Sequence, residues 1–318
     1  SSKGTISLTF IVDTQKTGIK LITVNDTEEN MVTTTFLLIP SLLTIIWVDD
    51  DNTSEIEYGT KEYPYNTIQE GINVCPDKGT VTVANGTYTG IGNKNLSWSS
   101  KHITVKSENG SVTCIIDCEN SGRGFYSTGQ DSRDTIEGFT IRNGYVSGGW
   151  WPNNCGGGIF CWYSSPSILN CQITGNSAYE GGGIYCNYSS PKIIDCIIIQ
   201  NTGKYGGSGI YCYNSSSPKI ANNTISKNGN DGIECQYKSS PTIINNIISE
   251  NNDDGISCFS SSPFITNNII TGNGGYGINC YESSPSITNN IISGNSYGIS
   301  CDYSSSPSIT NNIILGNS

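Results

Sequence analysis

From residue 155 onward, apolar and polar positions alternate with a period of two, in short runs broken by Gly, Asn and Ser-Ser-Pro. The phrase Gly-Ile-x-Cys recurs with its cysteines at Cys161, Cys186, Cys212, Cys235, Cys258, Cys280 and Cys301. Ser-Ser-Pro recurs in step, with prolines at Pro166, Pro191, Pro218, Pro241, Pro263, Pro285 and Pro307, spaced 25, 27, 23, 22, 22 and 22 residues apart. Two residues after each proline stands an isoleucine, Ile168 in the first copy and Ile309 in the last. Five after it stand Cys171, Cys196, Asn223, Asn246, Asn268, Asn290 and Asn312. A second isoleucine column (Ile173 to Ile314) and a second asparagine column (Asn176 to Asn317) follow in each copy. Period two places Ile and Cys on one face of a strand and the residue between them on the other.

A unit of about 22 residues with no helical period has one economical solution, a single coil of a parallel β-solenoid. Neighbouring coils pair at ~4.8 Å, so like residues pile into columns: Ile fills the interior and Asn hydrogen-bonds along the axis. Parallel crossovers are right-handed, which sets the hand of the coil. Looser copies continue upstream through Ile136–Asn143, Ser111–Ile116, His102–Val105 and Thr80–Val83. Roughly ten coils then make a rod of roughly 50 Å. One helical stretch stands out, Thr67–Val74, with Thr67 as N-cap; it closes the first coil. The expectation is an all-β, right-handed parallel β-helix over residues 47–318, capped by a short helix and preceded by a strand-rich segment, 1–46. Within that segment Ile6–Val12 and Lys20–Val24 alternate as strands. The apolar run from Phe36 to Val48 is 13 residues long, too short for a membrane helix. It reads as strand or as the remnant of a secretory leader starting at Met31, though basic residues and a small-residue cleavage site are missing.

Composition narrows the chemistry. The chain of 318 residues carries 16 Lys and Arg against 27 Asp and Glu, a net charge of −11, which excludes a nucleic-acid footprint. A single histidine, His102, excludes multi-histidine metal sites and most histidine-based triads. Only 14% of residues are charged, while Asn, Ser, Thr and Gly abound. This composition and sequons such as Asn85-Gly86-Thr87 fit a secreted or cell-surface setting.

The segment Val48-Asp49-Asp50-Asp51-Asn52, Gly59-Thr60, Pro64-Tyr65, Thr67-Ile68-Gln69-Glu70-Gly71-Ile72 and Val83-Ala84-Asn85-Gly86-Thr87-Tyr88 resembles the opening of secreted right-handed β-helix proteins of the pectate-lyase-like superfamily. The coils after residue 155 resemble the parallel β-helix repeat of the same superfamily. That resemblance implies the fold; its members include polysaccharide lyases and many relatives without known activity. A lyase of this kind would need a Lys or Arg base beside calcium-holding acids, and no such motif is matched. Lys192 and Lys219 share a column but sit at the corner prolines, away from Asp231.

Thirteen cysteines would ordinarily suggest disulfides. Seven of them occupy one column, where parallel Cβ vectors suit bridging poorly, so a buried thiol ladder is expected. Cys114 with Cys118 and Cys155 with Cys161 are the expected local bridges. On the outward face of the Gly-Ile-x-Cys strands, Phe160, Tyr185 and Tyr211 form one column and Trp162 and Tyr213 another, beside Trp150 and Trp151. These rings are the candidate glycan-binding surface; the alternative is that they stack on one another in a sheet. Asp231, Glu234 and Asp254 are the candidate catalytic carboxylates, and Asp231, Asp253 and Asp254 the candidate ligands of Ca²⁺, set against the plainer reading of a solvated Asn-Asp-Gly turn. Asp49-Asp50-Asp51-Asn52 reads as a capping turn. No other cofactor is expected.

The sequence thus points to an extracellular structural or adhesive solenoid that contacts glycans through an aromatic face. Catalysis as a polysaccharide lyase or glycoside hydrolase is the alternative. The chain stops in mid-pattern at Ile313–Ser318, so either a cap lies beyond residue 318 or a neighbouring molecule covers the end, giving a head-to-tail homo-oligomer.

Overall fold

The computed structural model describes residues 18–25, 31–38 and 43–318, apart from residues 55, 150 and 151. The chain divides between Thr44 and Ile45 into two compact units, two residues before the boundary expected at 46/47. In the first, strands Gly18–Asn25 and Met31–Leu38 pair antiparallel, with Gly18 opposite Leu38. The strand expected over Lys20–Val24 lies inside this hairpin, and the one over Ile6–Val12 falls outside the described residues.

The second unit is a parallel β-solenoid. Three long sheets of 11, 10 and 8 strands run its length, with a short three-stranded sheet beside them. Each coil visits the sheets in turn. In one coil, Ser167–Leu169 follows the proline into the first sheet, Gln172–Thr174 enters the second, and Ile184–Asn187 enters the third. Registers are those of the sequence repeat: Ile168 pairs with Ile193, Ile173 with Ile198, and Ile159 with Ile184. Cys235, Cys258 and Cys280 stand directly above one another. The Ile columns are fully buried as far as Ile292. Each coil contributes three such side chains to an unbroken interior, and burying one contributes about 2–3 kcal/mol.

The helix Ile68–Val74 closes the first coil as expected, with Thr67 and Glu70 forming a capping box. Its last carbonyls are satisfied by Lys101, whose Nζ donates to the oxygens of Ile72, Asn73 (3.1 Å) and Cys75 (2.7 Å).

Corners are held by side chains that replace the missing backbone ladder. The two serines of Ser-Ser-Pro work in opposite directions. The backbone N–H of Ser189 donates to Oγ of Ser216 in the next coil at 3.0 Å, whereas that of Ser190 donates to Oγ of Ser165 in the coil before at 2.9 Å. Asn251 shows the asparagine pattern. Its Oδ1 accepts from the backbone N–H (3.1 Å) and Nδ2 (2.9 Å) of Asn228, and its Nδ2 donates to Asn273 Oδ1 (2.9 Å) and Ile225 O (3.2 Å). The glycine before each isoleucine lets the coils approach. A Cβ on Gly255 would lie 2.6 Å from Cγ2 of Ile270.

All thirteen cysteines are free thiols, twelve of them buried. The bridges expected for Cys114–Cys118 and Cys155–Cys161 are therefore absent. Cys161 sits in the interior column, while Cys155 packs on the outer side of the same sheet against Phe160. Along the ladder Cys212, Cys235 and Cys258 stand in register and buried, and the neighbouring Cys212 thiol and burial push the Cys235 thiol up.

Two outcomes follow from this packing. Asn251→Ala leaves the buried N–H of Asn228 without an acceptor and is expected to cost about 2–3 kcal/mol, measured by urea denaturation. Mass spectrometry after brief iodoacetamide treatment of the native protein is expected to find Cys301 alkylated and the twelve buried thiols protected until denaturant is added.

Candidate functional site

The outer face of the third sheet is not bare. Segments entering it fold back over the column of Phe160, Tyr185 and Tyr211, which are 0%, 0% and 2% exposed. This corrects their expected role as an open aromatic face. The covering chain is glycine-rich because it lies flat on the rings: a Cβ on Gly206 would stand 2.9 Å from the Tyr211 ring, and one on Gly181 2.7 Å from Cβ of Tyr185. The rings pack with Cys155 as a small second core, with Tyr126, Trp162 and Tyr213 half-buried at its margin. Phe160 stacks on Tyr126 (5.2 Å, 8°) and on Tyr185 (5.6 Å, 3°). Arg123 lies over Tyr126 and Phe160, shut beneath the carbonyls of Pro152 and Asn153. Trp150 and Trp151 lie outside the described residues.

The accessible rings stand one position further along, in the turn between Gly-Ile-x-Cys and Ser-Ser-Pro. Tyr163, Tyr188, Tyr237 and Tyr303 occupy this turn at φ of 44°, 48°, 51° and 48° and are 59%, 47%, 45% and 67% exposed. The left-handed region favours Gly and Asn, and a bulky side chain there is uncommon. The turn between the first and second sheets follows that preference, with Asn170, Asn222, Asn245, Asn267, Asn289 and Asn311 in the same conformation. Four tyrosines in so unfavourable a position mark this corner as a place where the side chain matters. Tyr163 and Tyr188 stack at 4.8 Å and 4°, and a second run of ring contacts passes through Tyr213, Tyr237, Phe259, Tyr281 and Tyr303.

Beside this ladder runs a groove. One stretch of about 420 Å³ is lined by Asn154, Glu180, Tyr185, Asn187, Tyr188, Tyr213 and Asn214. A second of about 400 Å³ continues it, sharing Tyr188 and Asn214 and adding Ser215, Tyr237, Lys238 and Ser260. Trp162 and Tyr213, both expected as glycan contacts, are half-buried, and only Tyr213 lines the groove. The exposed tyrosines were legible as the residue after Cys-x in four of seven copies. A strict period-two reading passes over them because the turn breaks the alternation.

The acidic residues do come together. Oxygens of Asp231, Asp253 and Asp254 lie within 4.8 Å of one another, the set that could hold a divalent cation. Asp231 and Asp254 are not a solvated turn, being 7% and 5% exposed. Asp231 Oδ1 accepts the Asp254 N–H (3.0 Å), and the carboxylate of Asp254 accepts from Tyr276 N–H (2.6 Å) and Asn279 Nδ2 (2.9 Å). Burial, then the charges of Glu234, Asp254 and Asp253, hold the Asp231 carboxyl well above the usual range. Burial pushes Glu234 up to about 7, against hydrogen bonds from Gln236 and the Gly207 N–H. Glu180, further along the same face, is also raised by burial.

A second cluster escaped the sequence reading, whose signal was the lone histidine. His102 Nδ1 lies 2.9 Å from Asp134 Oδ2 and 3.6 Å from Asp131 Oδ1. Asp134 is fully buried and also accepts from Trp98 Nε1 (2.9 Å) and the N–H groups of Ile103 (3.0 Å) and Asp131 (2.9 Å). It is a clamp between coils. The turn at Asp49 is an ordinary cap, with the Asp51 N–H donating to Asp49 Oδ1 at 3.1 Å.

The fold is that of a right-handed parallel β-helix, as the resemblance implied. Residues 182–318 match the family described as "Right handed beta helix region". Among solved structures, the chain is similar to pectate lyase Pel9A, with TM-score 0.63 and 15% identity over 84% of this chain and 78% of that one. It is also similar to an alginate lyase from Paenibacillus sp. str. FPU-7, with TM-score 0.56 and 18% identity over 79% and 93% of the two chains. A rhamnogalacturonan lyase gives TM-score 0.51 and 13% identity over 84% and 87%. At these identities the likeness is one of fold. No curated protein sequence matches. No helix among the described residues is long and apolar enough to cross a membrane.

Glu234 supplies a test of the buried acids. Its carboxyl binds a proton more tightly in the folded state (about 7) than at its ordinary value of 4.5. Its contribution is therefore complete below pH ~4.5 and lost as pH rises through ~7. Glu234→Gln is expected to flatten the decline of folding stability across that window, measured by denaturation at successive pH values.

Proposed function

We propose that this chain is an extracellular or cell-surface adhesive solenoid that holds a glycan in the groove beside its tyrosine corner. The observation that carries this reading is the set of exposed tyrosines kept in the left-handed conformation, two of which, Tyr188 and Tyr237, line a groove rich in Asn and Ser. Aromatic rings stack on the apolar faces of sugars while amide and hydroxyl groups meet their hydroxyls. Head-to-tail association of the rods is the second element of the adhesive role.

Cleavage of a polysaccharide is the alternative, and one observation favours it. The Glu234 carboxyl, raised to about 7, has the protonation a glycosidase acid needs. Against this, Asp231, Glu234 and Asp254 are each less than a tenth exposed, and a substrate cannot reach a roofed acid. The similar lyases supply the fold for either reading.

Incubating the protein with insoluble and soluble polysaccharides, while following both depletion of the protein and release of reducing or unsaturated ends, separates the two. Depletion without product is expected, and it is expected to weaken roughly tenfold or more in Tyr188→Ala. Product formation abolished by Glu234→Gln would establish the enzyme instead.

A further inference from the structure

Resting on the glycan reading, we infer that the ligand is an uncharged glycan lying along the rod axis, and that the site discriminates against polyuronates. The groove passes Tyr188, Asn214, Tyr237 and Ser260 in four successive coils. Three coil rises give roughly 14 Å of continuous floor, a run suited to an oligosaccharide stretched parallel to the axis. A chain crossing the coils instead would meet one ring and leave.

The charge distribution decides the class. Among its lining residues Lys238 is the one cation, and Glu180 stands opposite it in character. The rest of the lining is uncharged Tyr, Asn and Ser, and the whole chain carries −11. Of the other basic groups, Lys192 and Lys219 stand on the first-sheet strands that follow the corner prolines and do not line the groove. Lys204 sits on the rings of Tyr179 and Tyr205, and Arg123 is enclosed under Pro152 and Asn153 over Tyr126 and Phe160. Each carboxylate of a polyuronate would therefore meet a lining with a single ammonium, Lys238, beside the acid Glu180, and no guanidinium fork to receive it. A neutral pyranose chain needs no such partner. It gains the stacking faces of Tyr188 and Tyr237 and the side chains of Asn214, Ser215 and Ser260, whose donors and acceptors match hydroxyl groups.

Isothermal titration of the intact chain with cellohexaose and mannohexaose as neutral probes, and hexagalacturonate and hexaguluronate as charged ones, at low and high salt, tests this. The expected result is binding of a neutral hexamer with an affinity indifferent to salt, lost roughly tenfold or more in Tyr188→Ala and Tyr237→Ala and largely retained in Tyr188→Phe. Glu180→Gln is expected to narrow the gap between neutral and uronate probes, a readout that a folding defect would not produce. Tighter binding of either uronate hexamer, strengthened at low salt, would overturn the inference while leaving the glycan reading in place. Binding of none of the four probes, by a protein whose circular dichroism is that of a folded β-helix, would overturn both.

Discussion

The structure depends on one constraint: every coil must present the same residue at the same place as the coil above and below it. Parallel pairing satisfies the backbone inside the sheets, but at corners the chain turns and the ladder lapses. There, buried N–H groups would be orphaned, each at a cost of about 1–3 kcal/mol. Asn side chains answer this by reaching one coil along, as Asn228 does to Asn251 and Asn251 to Asn273. The serine pair does the same at the third corner in both directions. Because each link is to an identical link, an error in one coil propagates to its neighbours, which keeps the spacing near 22 residues over the last coils.

That interior order leaves the exterior to vary. On the third sheet the first coils carry Phe160, Tyr185 and Tyr211 under a glycine-rich cover, and the later ones carry Glu234, Ser257 and Asn279 at the same column. Aromatic rings there make a second core outside the barrel of coils. Where the column turns acidic, the cover folds over carboxylates and raises their proton affinity. The same wall thus changes from apolar to ionisable within two coils, while its inner face stays Ile and Cys throughout.

The proposed site lies at the corner instead of on the wall. On the third sheet Phe160, Tyr185 and Tyr211 are shielded, whereas Tyr163, Tyr188, Tyr237 and Tyr303 in the turn are open to solvent. Holding tyrosine at positive φ costs on the order of 1 kcal/mol or more per site. The stacked coils over-determine the corner and so tolerate that cost. A rigid row of rings loses little entropy on meeting an extended ligand, which is the advantage a solenoid holds over a flexible loop.

The repeat, read from residue spacing alone, was sufficient for the fold, the register, the thiol column, the capping helix with Thr67, and the pairing of Asp231 with Asp254. Those properties follow from local period and from like residues stacking, and both are written along the chain. What lay beyond the sequence was the path of the segments between strands. Residues 152–158, 179–182 and 204–207 carry no period-two strand pattern, and only their fold-back over the sheet buries Phe160, Tyr185 and Tyr211. The absent bridge at Cys155–Cys161 has the same origin. Spacing placed these two thiols near one another, but Cys161 faces the interior and Cys155 the outer side of the sheet, a property of three-dimensional packing that a one-dimensional repeat does not encode.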